Sequence, residues 1–217
     1  GNGKACAVQF AREGAQVFAV DINTEAVAET KAIIDQEGGD CVIYNADVTD
    51  SDSVGRLVAA CVETYGRIDV LHNNAGIVEP GGPEEIKEEN WDRLMNVNVK
   101  SMYLTAKNVL PHMVEAGSGS IINVSSIASF YSLGYPCVSY CASKGAVNAL
   151  TRNIATQYAK HQIRCNAILP GLMDTPLIRG AVSEAYEDVE AMVSERDALC
   201  PMGKMGDAWD VAHSAVF

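Results

Sequence analysis

The chain has 217 residues, 48% of them hydrophobic, and a formal net charge of −12. That length suits one domain with a sizeable core. The acidic balance argues against nucleic acid or an anionic membrane surface as a main partner, and no apolar run approaches the roughly 20 residues that span a bilayer.

Seven cysteines (Cys6, Cys41, Cys61, Cys137, Cys141, Cys165 and Cys200) are scattered without a C-x-x-C pair, and no signal-peptide pattern opens the sequence. They read as reduced, mostly buried thiols of a cytoplasmic protein. The four histidines are dispersed, so no metal site is expected.

In chain order, Gly1-Asn2-Gly3 runs straight into a helical pattern carried by Ala5, Val8, Phe10 and Ala11, with Gly14 as its stop. Gln16 to Val20 form a short apolar run ending in Asp21, as a buried parallel strand does. A helix over 24–37 follows, capped by Asn23 or Thr24, then a strand at 41–44 closing on Asp47-Val48. Ser51 caps a helix to about Tyr65, and 68–72 is a strand closing on Asn73-Asn74-Ala75-Gly76. A loop rich in Gly, Pro and Glu leads to a long helix from about Asn90 to Glu115, with interruptions expected near Lys100 and Pro111. Ser120 to Val124 is a strand closing on Ser125-Ser126, and a helix from before Tyr140 reaches about His161. Ile163 to Ile168 is a strand closing on Pro170-Gly171, residues 172–206 form a loop-and-helix insertion, and Asp207 opens a last helix.

Strands alternating with helices predict a parallel α/β sheet with right-handed crossovers. Open α/β sheets place ligands at the C-terminal ends of their strands, where the polar clusters of this chain recur. Gly1-x-Gly3 opening a helix, with Asp21 ending a strand about 20 residues on, has the shape of a dinucleotide site. Asp21 would accept hydrogen bonds from ribose hydroxyls and repel a 2′-phosphate, which points to NAD; the alternative is a helix cap. Tyr140 and Lys144 stand four residues apart, on one face of a helix. A cation there would lower the phenol's pKa towards the working range of an acid–base catalyst.

Together these motifs resemble the classical short-chain dehydrogenase/reductase family, and especially its 3-oxoacyl-carrier-protein reductase-like members. The matching residues are Gly1 and Gly3, Asp47-Val48, Asn73-Asn74-Ala75-Gly76, Asn98, Ser125-Ser126, Tyr140 with Lys144, Asn166, Pro170-Gly171 and Thr175. The resemblance implies a single NAD(P)-binding Rossmann domain over residues 1–217 and a catalytic set of Asn98, Ser126, Tyr140 and Lys144. Tyr140 would be the general acid/base, Lys144 would depress its pKa, Ser126 would hold the reacting oxygen, and Asn98 would hold a water linked to Lys144. Ser125 and Ser126 remain alternatives for one role, since adjacent strand residues face opposite ways. The implied cofactor residues are Gly1, Asn2, Gly3, Asp21, Ile22, Asp47, Val48, Asn74, Ala75, Gly76, Tyr140, Lys144, Pro170, Gly171 and Thr175.

The family's first and last strands have no counterpart here, so the sequence reads as part of a chain of about 250 residues, unstable and inactive alone. The expected reaction is hydride transfer between NAD and a secondary alcohol or ketone; the alternative is a non-catalytic nucleotide-binding scaffold or sensor on the same fold. A homotetramer is implied through the long helix and the Tyr140 helix. Met173, Leu177, Ile178, Val182, Tyr186, Met192 and Val193 would form an apolar substrate lid, and the sequon at Asn123 reads as chance on a buried strand.

Overall fold

The computed structural model describes residues 1–182 and 188–217. Helix α1 (Asn2–Arg12) leads to strand β1 (Val17–Asp21), α2 (Thr24–Gln36), β2 (Cys41–Asn45), α3 (Ser51–Tyr65) and β3 (Val70–Asn73). Then come α4 (Glu88–Met95), a π turn (Asn96–Lys100), α5 (Ser101–Ala116), β4 (Gly119–Val124), α6 (Val138–Tyr158) and β5 (Ile163–Ile168). A second π turn (Ile178–Val182), α7 (Val189–Leu199) and α8 (Ala208–Val216) complete the order. No helix among the described residues is long and apolar enough to cross a membrane.

All strand pairs are parallel, as the alternation with helices requires. They form two ladders, β1-β2 and β3-β4-β5. Among the described residues no strand joins β1 to β3, the place where the family resemblance puts its first strand. Strand β4 shows why helices cover both faces: neighbouring side chains point oppositely, so Ile121 packs among Val54, Leu104 and Ile154 from α3, α5 and α6. Ile122 packs against Ala5, Cys6 and Val211 from α1 and α8. Val8 of α1 also packs with Ala19, Ile34 and Cys41 around β1 and β2, so this one helix ties the two ladders together.

The caps refine the sequence reading. Asn23 rather than Thr24 caps α2, accepting from Ala26 N at 3.0 Å. Asp50, not Ser51, caps α3, accepting from Ser53 N at 2.6 Å; Ser51 is already inside the first turn. Strand β3 starts at Val70, two residues later than its apolar run. The long helix is broken near Lys100 by the π turn but not at Pro111, which lies within α5.

Buried polar side chains cross the three-stranded ladder. Asn73 Nδ2 donates to Asn123 Oδ1 at 2.9 Å, Thr105 Oγ1 to Asn73 Oδ1 at 2.8 Å, and Asn123 Nδ2 to Thr151 Oγ1 at 2.9 Å. The Asn123 side chain is thus consumed inside the fold, and its sequon is sterically closed.

His72 on β3 sits edge-on to Phe10, with ring centroids 5.8 Å apart and a buried Nε2 without a partner among the described residues. Burial disfavours the imidazolium and pushes its pKa down to about 4. The unfolded chain therefore binds a proton near pH 6.5 that the native state refuses until about 4, so stability falls as pH drops through that window. The full window is worth on the order of 3 kcal/mol. Denaturant melts at pH 7.5 and 4.5 should show a smaller acid loss for His72→Phe than for the wild type; equal losses would acquit His72.

Candidate active site

The site forms where β4 ends and α6 begins. Lys144 lies on α6 one turn beyond Tyr140, only 3% exposed, and its Nζ donates to the Val124 carbonyl at 2.8 Å. The ammonium stands 5.5 Å from the centroid of the Tyr140 ring. Stripped of water, it loses its proton more easily, with a pKa lowered to about 8.

The phenol moves the other way. Burial holds Tyr140 above its ordinary pKa; the Ser126 hydroxyl pulls it back, while Cys137 and Cys141 push it further up. The expected lowering by Lys144 is therefore not what the structure shows. The ammonium is directed at the Val124 carbonyl, and burial disfavours the charged form of both partners. Cys137 and Cys141 flank the tyrosine with their sulfurs 3.4 Å apart, and burial drives the Cys137 thiol up to about 12.

The two adjacent serines, just past the end of β4, take different partners. Ser125 Oγ donates to the Lys144 carbonyl at 3.1 Å and so anchors α6. The Ser126 oxygen accepts from Ala128 N at 3.1 Å and is the hydroxyl that meets the Tyr140 phenol. Asn98 lies in the π turn with no exposed surface. Its amide accepts from Ile77 N at 2.8 Å and donates to Ile77 O at 2.9 Å and to Ser143 Oγ at 3.0 Å. Ser143 Oγ in turn donates to the Tyr140 carbonyl at 2.8 Å. The loop after β3 is thereby tied to the Tyr140 turn. Ser143 was absent from the sequence reading, because nothing in its spacing shows which loop it would meet. At Gly76 an added Cβ would stand 3.4 Å from Asn98 Oδ1 and 3.6 Å from Lys144 Nζ, so a bare backbone passes between the two side chains.

The remaining predicted residues lie at the start of α1 and in the segments that follow β1, β2, β3 and β5. Helix α1 starts at Gly1 without a side-chain cap and with no acid in its first turn, which leaves N–H groups open to an anion. Asn2 Oδ1 is buried without a partner among the described residues. A Cβ at Gly3, in the first turn of α1, would stand 2.6 Å from Asn74 Nδ2, so that side chain packs directly on the helix backbone. Gly1 approaches Pro176, beside the buried Thr175. The Pro170 carbonyl accepts from Ile127 N at 3.0 Å, and Gly171 and Ala75 are exposed. Asp21 is exposed at the end of β1, next to an Ile22 that is 68% exposed. It accepts from Asn23 N at 2.9 Å and leaves the capping of α2 to Asn23. Asp47 is held below its usual pKa by hydrogen bonds from Thr49, whereas Val48 packs against the core. An uncapped helix start, glycines in close contact and an exposed carboxylate at a strand end fit a dinucleotide cofactor.

The family model for short chain dehydrogenases matches residues 1–185. The chain belongs to that family. Dehydrogenase/reductase SDR family member 6 of Aquarana catesbeiana is 42% identical over 218 residues, covering 100% of this chain and 84% of that protein. The 2,5-dichloro-2,5-cyclohexadiene-1,4-diol dehydrogenase of Sphingobium indicum is 37% identical over 217 residues, with the same coverage of 100% and 84%. The crystal structure of levodione reductase superposes with a TM-score of 0.96 at 32% identity, covering 100% of this chain and 85% of that one. This short-chain dehydrogenase is thus an oxidoreductase acting on CH–OH groups with a nicotinamide cofactor.

Val78, Ile178 and Met192 form an apolar cluster with Tyr135, Val189, Val193 and Tyr140 itself. Of the expected lid residues, Met173 packs instead with α1 and α8, and Leu177 is exposed. Tyr186 and the side chain of Val182 lie outside the described residues.

Removing the Asn98 amide would leave the Ile77 N–H and carbonyl without their partner. Asn98→Ala should lower the unfolding free energy by about 2–4 kcal/mol. Urea denaturation measures it, and a loss near zero would show that water replaces the amide.

Proposed function

We propose that this short-chain dehydrogenase interconverts a secondary alcohol and a ketone with NAD, Tyr140 being the general acid/base. The observation that carries the reading is the convergence of the Tyr140 phenol, the Ser126 hydroxyl and the buried Lys144 ammonium where β4 meets α6. The bound nicotinamide supplies the carbon that accepts or donates the hydride.

This chain's own groups handle the proton. In ketone reduction Tyr140, a phenol that burial keeps protonated at neutral pH as an unshifted one would be, donates its phenolic proton to the carbonyl oxygen. In alcohol oxidation the phenolate takes that proton back, and the Lys144 cation is the charge available to stabilise it. Ser126 donates a hydrogen bond to the same substrate oxygen, so the new charge is shared between two hydroxyls. Asn98 keeps the Tyr140 turn in register through Ser143. The exposed Asp21 carboxylate favours the two ribose hydroxyls of NAD and repels an added phosphate. A homotetramer formed through α5 and α6 accords with Tyr103 of α5 being half exposed.

Tyr140→Phe should lower kcat at least about a hundredfold, the scale of a lost general acid, while NAD binds with nearly its original affinity. Absorbance at 340 nm and a fluorescence titration read the two effects, and retained turnover would remove Tyr140 from its role. Asp21→Ala should shrink the preference for NAD over NADP by about tenfold in kcat/KM, the scale of one charged contact. A wild-type enzyme that favours NADP would reverse the cofactor assignment.

A further inference from the structure

Helix α7 buries two side chains, Met192 and Arg196, four residues apart and so on one face. Met192 belongs to the apolar cluster that contains Tyr140, Val78 and Ile178. Arg196 continues that face by one helical turn, about 5 Å along the axis. It is only 4% exposed.

Its Nε is sealed from water without a hydrogen-bond partner among the described residues. The described acids of α7 are engaged elsewhere or exposed. Asp197 accepts from Met205 N at 2.6 Å, Glu195 is exposed, and Glu190 lies 3.6 Å from Arg179. Arg179, the other lid cation, is held by Asp174 at 2.7 Å. Arg196 thus contrasts with Arg179: one guanidinium is paired with Asp174, whereas the Nε of the buried one has no acceptor among the described residues.

A buried guanidinium N–H without an acceptor is unfavourable, and an anionic acceptor is the strongest that could complete it. The planar fork of the guanidinium suits an oxoanion, whose two oxygens it can bind at once. The helix face that Arg196 continues packs, through Met192, in the apolar cluster of Tyr140, so the anion is best placed on a molecule that also reaches the Tyr140 phenol.

We propose that the substrate carries an anionic group, a carboxylate or a similar oxoanion, and that Arg196 binds it while the carbinol carbon rests beside Tyr140. This rests on the oxidoreductase reading of the Tyr140 site. Arg196 is then a specificity residue: it selects hydroxy and oxo acids over neutral alcohols and ketones.

The test uses the full-length chain loaded with NAD, and oxo acids of four to eight carbons, each paired with its methyl ester. Calorimetric titration should give at least one oxo acid bound about ten- to a hundredfold more tightly than its ester, the range of a charged hydrogen-bonded pair. Arg196→Met should abolish that difference while leaving ester affinity unchanged, and Arg196→Lys should restore part of it. If Arg196→Met does not fold, Arg196→Lys alone must still narrow the gap between acid and ester. Equal affinities for acids and esters in the wild type overturn the proposal, since the guanidinium is then met by other protein atoms. So does a gap unchanged in the variants. Failure of the oxidoreductase reading looks different: acids bind in an Arg196-dependent way, yet none of the corresponding hydroxy acids or esters reduces NAD.

Discussion

A cation buried at the end of a strand organises this molecule. Lys144 carries its ammonium to a place where 3% of the residue is exposed and its hydrogen bond goes to the Val124 carbonyl. That placement is costly, because an ion loses hydration on burial. It fixes the geometry around it: α6 must approach β4 closely, and Ser125 secures the approach through the Lys144 carbonyl. The loop after β3 passes close by, with Gly76 against the Asn98 and Lys144 side chains. The lowered pKa of the ammonium and the raised pKa of the phenol follow from the same lack of water.

The interior around this cation is held by amides rather than by packing alone. Asn73 and Asn123 link β3 to β4, and Thr105 and Thr151 bring in α5 and α6. Such a network is favourable only when every donor and acceptor is matched, so it discriminates against any other register of the two strands. Asn98 extends the same logic to the loop. A π turn, the kind of helix irregularity that recurs at functional sites, turns its amide onto both backbone groups of Ile77. Order at the site is thus bought by hydrogen bonds between segments distant in sequence.

Much of this was legible in the chain itself. Short apolar runs and helical spacing marked the element order, because burial of a strand or of one helix face is a local demand. Glycines and carboxylates at strand ends marked the crevice, since the topology of parallel sheets brings those ends to one edge. The pair Tyr140 and Lys144 was visible for the same reason: four residues make one helical turn wherever the helix lies. Smaller features failed at the same local level. Ser51 and Asp50 are both good caps in the abstract, and only backbone geometry chose Asp50.

What sequence alone determined is therefore the fold class, the order of its elements and the residues that meet at one edge. Tertiary structure decided which of two adjacent serines faces the phenol, where the Lys144 proton points, and that the buried Arg196 has an Nε without a partner among the described residues. The physical reason is range. Periodicity is set by neighbours a few residues away, whereas hydration, charge and hydrogen-bond partners at the site are set by β4, α6, the π turn and α7, segments that only folding brings together.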